Sequence, residues 1–307
     1  MPEATQPRIA LVGCGRWGGH ILRDLLALGC DVPVVARSEE SCARAREKGA
    51  TEIVAHLDEL ASVDAVVVST PTTTHAAVLD EVLPLGVPVY VEKPLTDDPE
   101  SARRLAEAAP DRLFVMDKWR HHDGIHVLAA IARTEELGPV IGLRTTRVGW
   151  GNPHGDVDGV WMLAPHDLSI VLEVLGSIPK PHAAVAEHAG GLVTGLVGLL
   201  GGDPWAVVDV SIAHGIRRRE VRLICRDGVA TLADAYSDHV LVTRGELQRD
   251  VTRADERRPI STELPLEREL RAFVDHLAGG PPPHSSAADG AAEVEAIGRL
   301  RELAGLG

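Results

Sequence analysis

Along the first 120 residues, short apolar runs rich in β-branched residues alternate with segments whose apolar positions recur every three or four residues. That rhythm is the signature of a parallel sheet with crossover helices. Residues 9–12 read as a strand, and Ile21, Leu22, Leu25, Leu26 and Leu28 keep helical spacing until Gly29 ends the run. Residues 32–36 follow as a second strand; Pro33 has no N–H for a ladder, so the strand begins there or is open on that side. Residues 65–69, 87–91 and 113–116 repeat the pattern, with helices predicted over 39–48, 75–85 and 99–109. The sum is five or six parallel strands.

Beyond residue 118 the pattern changes. A helix is predicted over residues 125–137, and Leu168, Val171, Leu172 and Leu175 form an apolar stripe that stops at Gly176. Pro165 is placed in the first turn of that helix, where a missing N–H does no harm. Residues 182–188, 192–200, 206–213, 220–225, 229–233 and 240–242 then read as successive strands, some joined by short turns such as Asp227-Gly228. That describes an antiparallel sheet open on at least one face. The charged residues 252–258 read as a loop, and the glycine- and proline-rich run 279–283 separates two last helices over 266–277 and 287–303.

Composition narrows the functions. With 307 residues, 45% of them apolar, the chain can bury a full core and is long enough for two domains, divided here at 1–120 and 121–307. A formal net charge of −14, with no basic run to offset it, opposes nucleic-acid binding. The first seven residues lack a basic segment followed by an apolar one, and the glycine-rich stretch 190–202 is too short to span a bilayer, so a soluble, cytoplasmic protein is expected. Cys14, Cys30, Cys42 and Cys225 form no CxxC pair and read as reduced thiols.

The candidate chemistry lies at strand ends. Gly13-Cys14-Gly15-Arg16-Trp17-Gly18 satisfies GxGxxG between a strand and a helix. Glycine permits the tight turn at 13, the approach of a pyrophosphate at 15 and close helix packing at 18, with the phosphates meeting the helix N-terminus. After the second strand, where an NAD site offers an acidic side chain to the ribose, the chain has Ala36, Arg37 and Ser38. This favours NADP, with NAD as the alternative because Glu39 and Glu40 follow at once. Thr70, Pro71 and His75 follow the fourth strand on the ligand-binding edge of such a sheet; Thr74 is equally suited to cap the next helix. Glu92, Lys93 and Pro94 end the fifth strand. Pro94 keeps Lys93 out of the helical region and extended toward the crevice, where burial would favour a neutral amine able to exchange a proton with a hydroxyl.

These ordered features, together with a histidine in a helix of the second half, resemble the Gfo/Idh/MocA group of glucose-fructose oxidoreductase and inositol dehydrogenase. The resemblance implies an N-terminal Rossmann doubly wound parallel sheet and a C-terminal α+β domain with a large, mainly antiparallel open sheet, through whose face such proteins form dimers or tetramers. It implies that Gly13, Gly15, Arg16, Trp17, Gly18, Arg37, Ser38, Thr70, Pro71, His75, Glu92 and Lys93 hold a nicotinamide dinucleotide. In similar enzymes the lysine corresponding to Lys93 contacts substrate, and the Lys-Pro peptide is often cis. The polar segment Lys118, Trp119, Arg120, His121 and His122 enters the second domain in such proteins, so Lys118, Arg120, His121 and His122 are candidates for substrate contact, as is Trp161. The last helix is expected to pack back on the first domain.

His166 is the second acid–base candidate. At the start of the predicted helix, the dipole would keep its imidazole neutral. The resemblance calls for an aspartate four residues earlier, yet Met162 stands there; Asp156, Asp158 and Asp167 are the candidate carboxylates to replace it in space. His154, Asp156, Asp158 and His166 carry metal-ligand types but match no metal-site spacing, so no metal is assigned. The expected function is hydride transfer between a nicotinamide, preferably NADP, and a sugar, nucleotide-sugar or cyclitol carbon, with Lys93 as acid–base group. A non-catalytic dinucleotide sensor and a C=N reductase are the alternatives.

Overall fold

The computed structural model describes residues 6–153, 155–245 and 253–306. Two compact units result: the chain up to Asp117 together with Leu266–Ala291, and Lys118–Pro265 together with the chain from Ala292.

The first unit follows a strand–helix alternation: β1 (Ile9–Val12), α1 (Gly18–Ala27), β2 (Val34–Val35), α2 (Glu39–Glu47), β3 (Ile53–Val54), β4 (Ala65–Val68), α3 (His75–Val82), β5 (Val89–Glu92), α4 (Pro99–Ala108) and β6 (Leu113–Met116). The strands pair in parallel in the order β3-β2-β1-β4-β5-β6. Every residue of β1, β4 and β6 is buried, which is why these strands appear in the sequence as continuous apolar runs. β3, only two residues long and half-buried, has no such run and escapes the sequence pattern. Strand order reverses between β1 and β4, the switch point at which sheets of this type receive ligands.

The second unit opens with a short 3₁₀ turn at Lys118–His121, then α5 (Asp123–Thr134), β7 (Val140–Trp150), α6 (Gly159–Leu175), β8 (Pro181–Ala189), β9 (Leu192–Gly201), β10 (Trp205–Ser211), β11 (Ala213–Cys225), β12 (Gly228–Leu232), β13 (His239–Arg244) and β14 (Ala254–Pro259). Its sheet runs β14-β13-β12-β11-β7-β10-β9-β8. Only the β7–β10 pair is parallel; the others are antiparallel. β7, central and eleven residues long, is absent from the strands read off the pattern. Residues 254–259 form an edge strand, not the expected loop; Thr252 lies outside the described residues. Its apolar signal is missing because charge holds it: Arg244 pairs with Glu256 at 2.8 Å, and Thr243 donates to Asp255 at 2.7 Å. Charged side chains also protect an exposed edge.

α6 corrects a further expectation. Asp158 caps it, its carboxylate accepting from the N–H groups of Val160 (3.0 Å) and Trp161 (3.2 Å), so the helix begins a full turn and more before Pro165. Pro165 and His166 are therefore interior, and the N-terminal dipole does not act on His166. Gly159 is required at the start because a Cβ there would stand 2.4 Å from the Thr194 carbonyl oxygen.

The chain ends in α7 (Pro265–Leu277) and α8 (Ala287–Leu303). Leu266, Leu270 and Phe273 of α7 enter the core of the first unit, where Phe273 lies 4.7 Å from the Tyr90 ring. No described helix is long and apolar enough to cross a membrane.

Close approach of β9 and β10 yields a prediction. A Cβ at Gly195 would fall 2.0 Å from the Val210 carbonyl oxygen, whereas nothing lies within 4 Å of one at Gly202. Gly195→Ala is expected to lower stability by about 1–3 kcal/mol through strand separation, with Gly202→Ala near neutral. Equal urea midpoints for the two variants would contradict this.

Candidate active site

The glycine turn joins β1 to α1 as a cradle. Gly13 has φ +91°, and a Cβ on it would lie 2.6 Å from the Ser69 carbonyl oxygen; one on Gly18 would lie 2.5 Å from that of Gly13. Gly15 differs, since nothing stands within 4 Å of its missing Cβ. Two glycines are thus needed by packing, and the third leaves bare backbone beside the α1 N-terminus. The residues fit a dinucleotide pyrophosphate. Arg16 is exposed on the same turn.

Past β2, Arg37 is exposed and donates its Nε to Ala55 O at 3.3 Å. Ser38 caps α2, its hydroxyl accepting from Ser41 N at 3.1 Å. Glu40 is drawn to Arg44 at 2.8 Å, and Arg44 also reaches the turn itself, donating to Cys14 O at 3.4 Å. Arg44 escaped the sequence reading; its signal was the Glu40–Arg44 spacing of one helical turn.

At the β5 exit, Trp17 Nε1 donates to the Glu92 carboxylate, tying the glycine turn to the residue before Lys93. His75 is buried at 1% exposure, and its ring bridges two carbonyls, Nδ1 to Pro94 O at 2.8 Å and Nε2 to Thr70 O at 3.1 Å. A neutral ring donates to one of them and a protonated ring to both. Thr74 stands at the N-cap position of α3 but does not cap with its side chain; its hydroxyl donates to Thr70 Oγ1 (3.0 Å) and Pro71 O (2.7 Å). Pro71 is exposed. The Lys93–Pro94 peptide is cis, and Lys93 is half-buried.

In the second unit, several candidates serve the fold. His122 caps α5, its Nδ1 accepting from Gly124 N at 3.0 Å while Nε2 meets Ala235 O at 3.1 Å, and its ring stacks on Trp119 with centroids 5.2 Å apart. Arg120, a candidate for substrate contact, is buried and pairs with Glu173 at 3.1 Å. Arg147 is likewise buried: its Nε donates to Asp167 at 2.5 Å and its guanidinium lies 4.4 Å from the Trp119 ring centre. Trp161 is buried with Arg301 over its ring at 5.6 Å. Lys118, His121 and His166 are partly exposed.

Met162 is buried, and the carboxylates proposed to stand in for it are largely committed elsewhere. Asp167 holds Arg147, and burial pushes its carboxyl upward against the pull of that guanidinium. Asp158 caps α6 and pairs with Arg301 at 2.5 Å. Asp156 is half-buried, and His154 lies outside the described residues.

A sheet with this switch point and this turn has the form of a dinucleotide-binding fold, and the comparisons agree. Residues 7–115 match the GFO_IDH_MocA profile, described as the oxidoreductase family with an NAD-binding Rossmann fold. The chain is 27% identical to inositol 2-dehydrogenase of Streptomyces avermitilis over 95% of its own length and 91% of that enzyme. It is 29% identical to UDP-N-acetylglucosamine 3-dehydrogenase of Acidithiobacillus ferrooxidans, but over only 59% of this chain and 58% of that enzyme. A solved structure of the latter superposes with a TM-score of 0.84 at 24% identity, covering 98% of this chain and 99% of that one. A 3-ketoreductase from Actinomadura kijaniata, solved with TDP-benzene and NADP, gives 0.83 at 20% identity over 97% of both chains. These two superpositions speak for the fold. Residues 7–115 therefore carry the likeness to the Gfo/Idh/MocA oxidoreductase family, and the inositol 2-dehydrogenase match extends a weaker likeness along the rest of the chain.

The Arg147–Asp167 pair makes a stability prediction. Asp167→Ala leaves a buried guanidinium without its carboxylate and is expected to lower stability by about 3–5 kcal/mol. Asp167→Leu with Arg147→Met should lose much less than the two single changes added together. A double-mutant cycle by urea unfolding that came out additive would contradict a direct pair.

Proposed function

We propose that the protein is an NADP-preferring dehydrogenase or reductase that moves hydride between the nicotinamide and a carbinol or ketone carbon of a sugar, nucleotide sugar or cyclitol. The single observation that carries this is the placement of Lys93 at the β5 exit, flanked by Glu92 tied to the glycine turn and Pro94 O tied to His75. The relatives' activities on inositol and on a nucleotide sugar point to the same substrate class.

The bound nicotinamide supplies or takes up the hydride. Lys93 acts as the acid–base group: its amine takes the hydroxyl proton as the alcohol is oxidised and returns it as the ketone is reduced, which contributes about 10²–10⁴-fold to such a step. Gly15 and the α1 N-terminus receive the pyrophosphate, and His75 holds the loops on either side of Lys93 in place. His166 is the second proton-carrying group, and it works without the carboxylate that Met162 displaces. Arg37 and Ser38 meet the ribose 2′-phosphate, and Arg44 neutralises Glu40, which would otherwise repel it.

The face of the second unit's sheet that carries Val185 (72% exposed), Leu192 (66%), Val197 and Leu199 is apolar and uncovered. Such a patch marks a protein interface, and we assign it to a homodimer or homotetramer. All four cysteines are free thiols, in keeping with a cytoplasmic setting.

Two measurements test this. Lys93→Met is expected to lower kcat/KM by at least about 10²-fold on reducible keto sugars while leaving NADPH affinity unchanged. Cofactor binding with no turnover by the unaltered protein on a broad sugar and cyclitol panel would point instead to a dinucleotide sensor. In a thermal-shift series NADPH should raise Tm more than NADH, and Arg37→Leu should erase the difference. A clear NADH preference in the unaltered protein contradicts the role given to Arg37.

A further inference from the structure

The second unit gathers arginines where its sheet meets α6. In the antiparallel β11–β7 pair Arg219 stands directly opposite Arg147, so the two side chains share one face of the sheet. It is the face toward α6, since Arg147 donates to Asp167 of that helix. Arg219 donates through one terminal nitrogen to the carbonyls of Val148 and Arg218, and its guanidinium lies over Gly149, with both terminal nitrogens 3.8 Å from a Cβ placed there. Arg217 follows the same strand, 5.3 Å from the Tyr236 ring centre.

The carboxylates nearby do not balance this charge. Asp167 is engaged by Arg147, and Asp234 accepts from Tyr236 N at 3.1 Å in a turn. Burial, then the charges of Arg147 and Arg217, pull the Arg219 pKa down to about 10, with Asp167 and Asp234 opposing only in part. Like charges directly opposite on a sheet are destabilising, and a half-buried guanidinium without a carboxylate is more so. The crowding is notable in a chain whose net charge is −14. An arrangement of this kind is stabilised by an anion from outside, and a planar guanidinium with unused donors matches a carboxylate or phosphate in two-pronged fashion.

We propose that Arg219, backed by Arg147, binds an oxyanion of the substrate, a carboxylate or a phosphate, so that the substrate is an acidic or phosphorylated sugar and not a neutral polyol. The inference rests on the reading that the second unit receives the substrate. Asp167, which orients Arg147, is the next residue to His166 on α6, so the anion would anchor the substrate at the turn carrying that histidine. Neither Arg217 nor Trp119 needs to touch the anion; they define the charged and aromatic surroundings.

The test uses the full chain, with inorganic phosphate, D-glucuronate and myo-inositol as probes in calorimetry and thermal shift. Phosphate or glucuronate should bind and raise Tm, the stronger of the two identifying phosphate or carboxylate as the group selected, while myo-inositol should do neither. Arg219→Met should weaken the selected anion about tenfold or more, the loss of a charge-assisted contact, and Arg219→Lys should retain part of it. Without anion, Arg219→Met loses two carbonyl contacts together with a repulsion, so its unliganded melt serves as the check that it folds. Binding of myo-inositol as tight as the anions, no anion binding at all, or equal anion affinity in Arg219→Met would overturn the proposal. NADPH is the control: its shift should be the same in every variant, and its absence from the unaltered protein would defeat the dehydrogenase reading and not the anion site.

Discussion

The end of β5 is held from two directions, and the placement of Lys93 depends on that restraint. Trp17 reaches from the glycine turn to the Glu92 carboxylate, and His75 reaches from the start of α3 to Pro94 O while its other nitrogen meets Thr70 O. Lys93 stands between these two anchor points. A lysine has four rotatable carbons and ordinarily drifts in solvent, but here its backbone is fixed relative to the turn that would cradle a pyrophosphate. Gly13 and Gly18 complete the restraint, since any side chain on either would strike backbone at 2.6 Å or 2.5 Å and push the turn out of place. Proton transfer is sensitive to such placement, because the donor must lie within hydrogen-bond reach of the reacting oxygen.

The second unit is governed by how it spends its charged groups. Asp158 organises the start of α6, Asp167 stabilises a buried arginine, and Glu173 does the same for Arg120. Each is an acidic side chain near the segment that carries His166, and each has a structural duty. Of the carboxylates weighed as substitutes for the one missing at Met162, Asp158 and Asp167 are thus held by structural partners. In the proposed reading the proton chemistry rests on Lys93 and His166, and substrate recognition is assigned to the arginines on β7 and β11.

The first unit was largely legible because its strands are buried on both faces and its helices carry amphipathic stripes; residues 9–12 and 113–116 were read to the residue. β3 was lost because two half-buried residues give no periodicity. In the second unit β7 was passed over because arginines and threonines interrupt its apolar positions, Arg147 being buried only by virtue of Asp167. β14 was read as a loop because ion pairs, not apolar contacts, hold it. The start of α6 was misplaced because Pro165 looked like a first-turn proline, while the true cap, Asp158, was weighed as a catalytic substitute. Motifs were legible in the same uneven way. The glycine turn and the Glu92–Pro94 segment announce themselves in sequence, whereas the roles of His75, His122 and Arg219 depend on which distant carbonyls and charges they meet.

Lys93 is proposed to face the reacting carbon of a nicotinamide whose pyrophosphate lies over Gly15. A crystal structure with NADP bound measures this most directly. The account predicts the pyrophosphate against the backbone of Gly15 and the α1 N-terminus, the 2′-phosphate at Arg37 and Ser38, and the Lys93 amine placed to hydrogen-bond an oxygen on the carbon next to nicotinamide C4. A nicotinamide ring bound away from the β5 exit, with the Lys93 amine directed elsewhere, would contradict it.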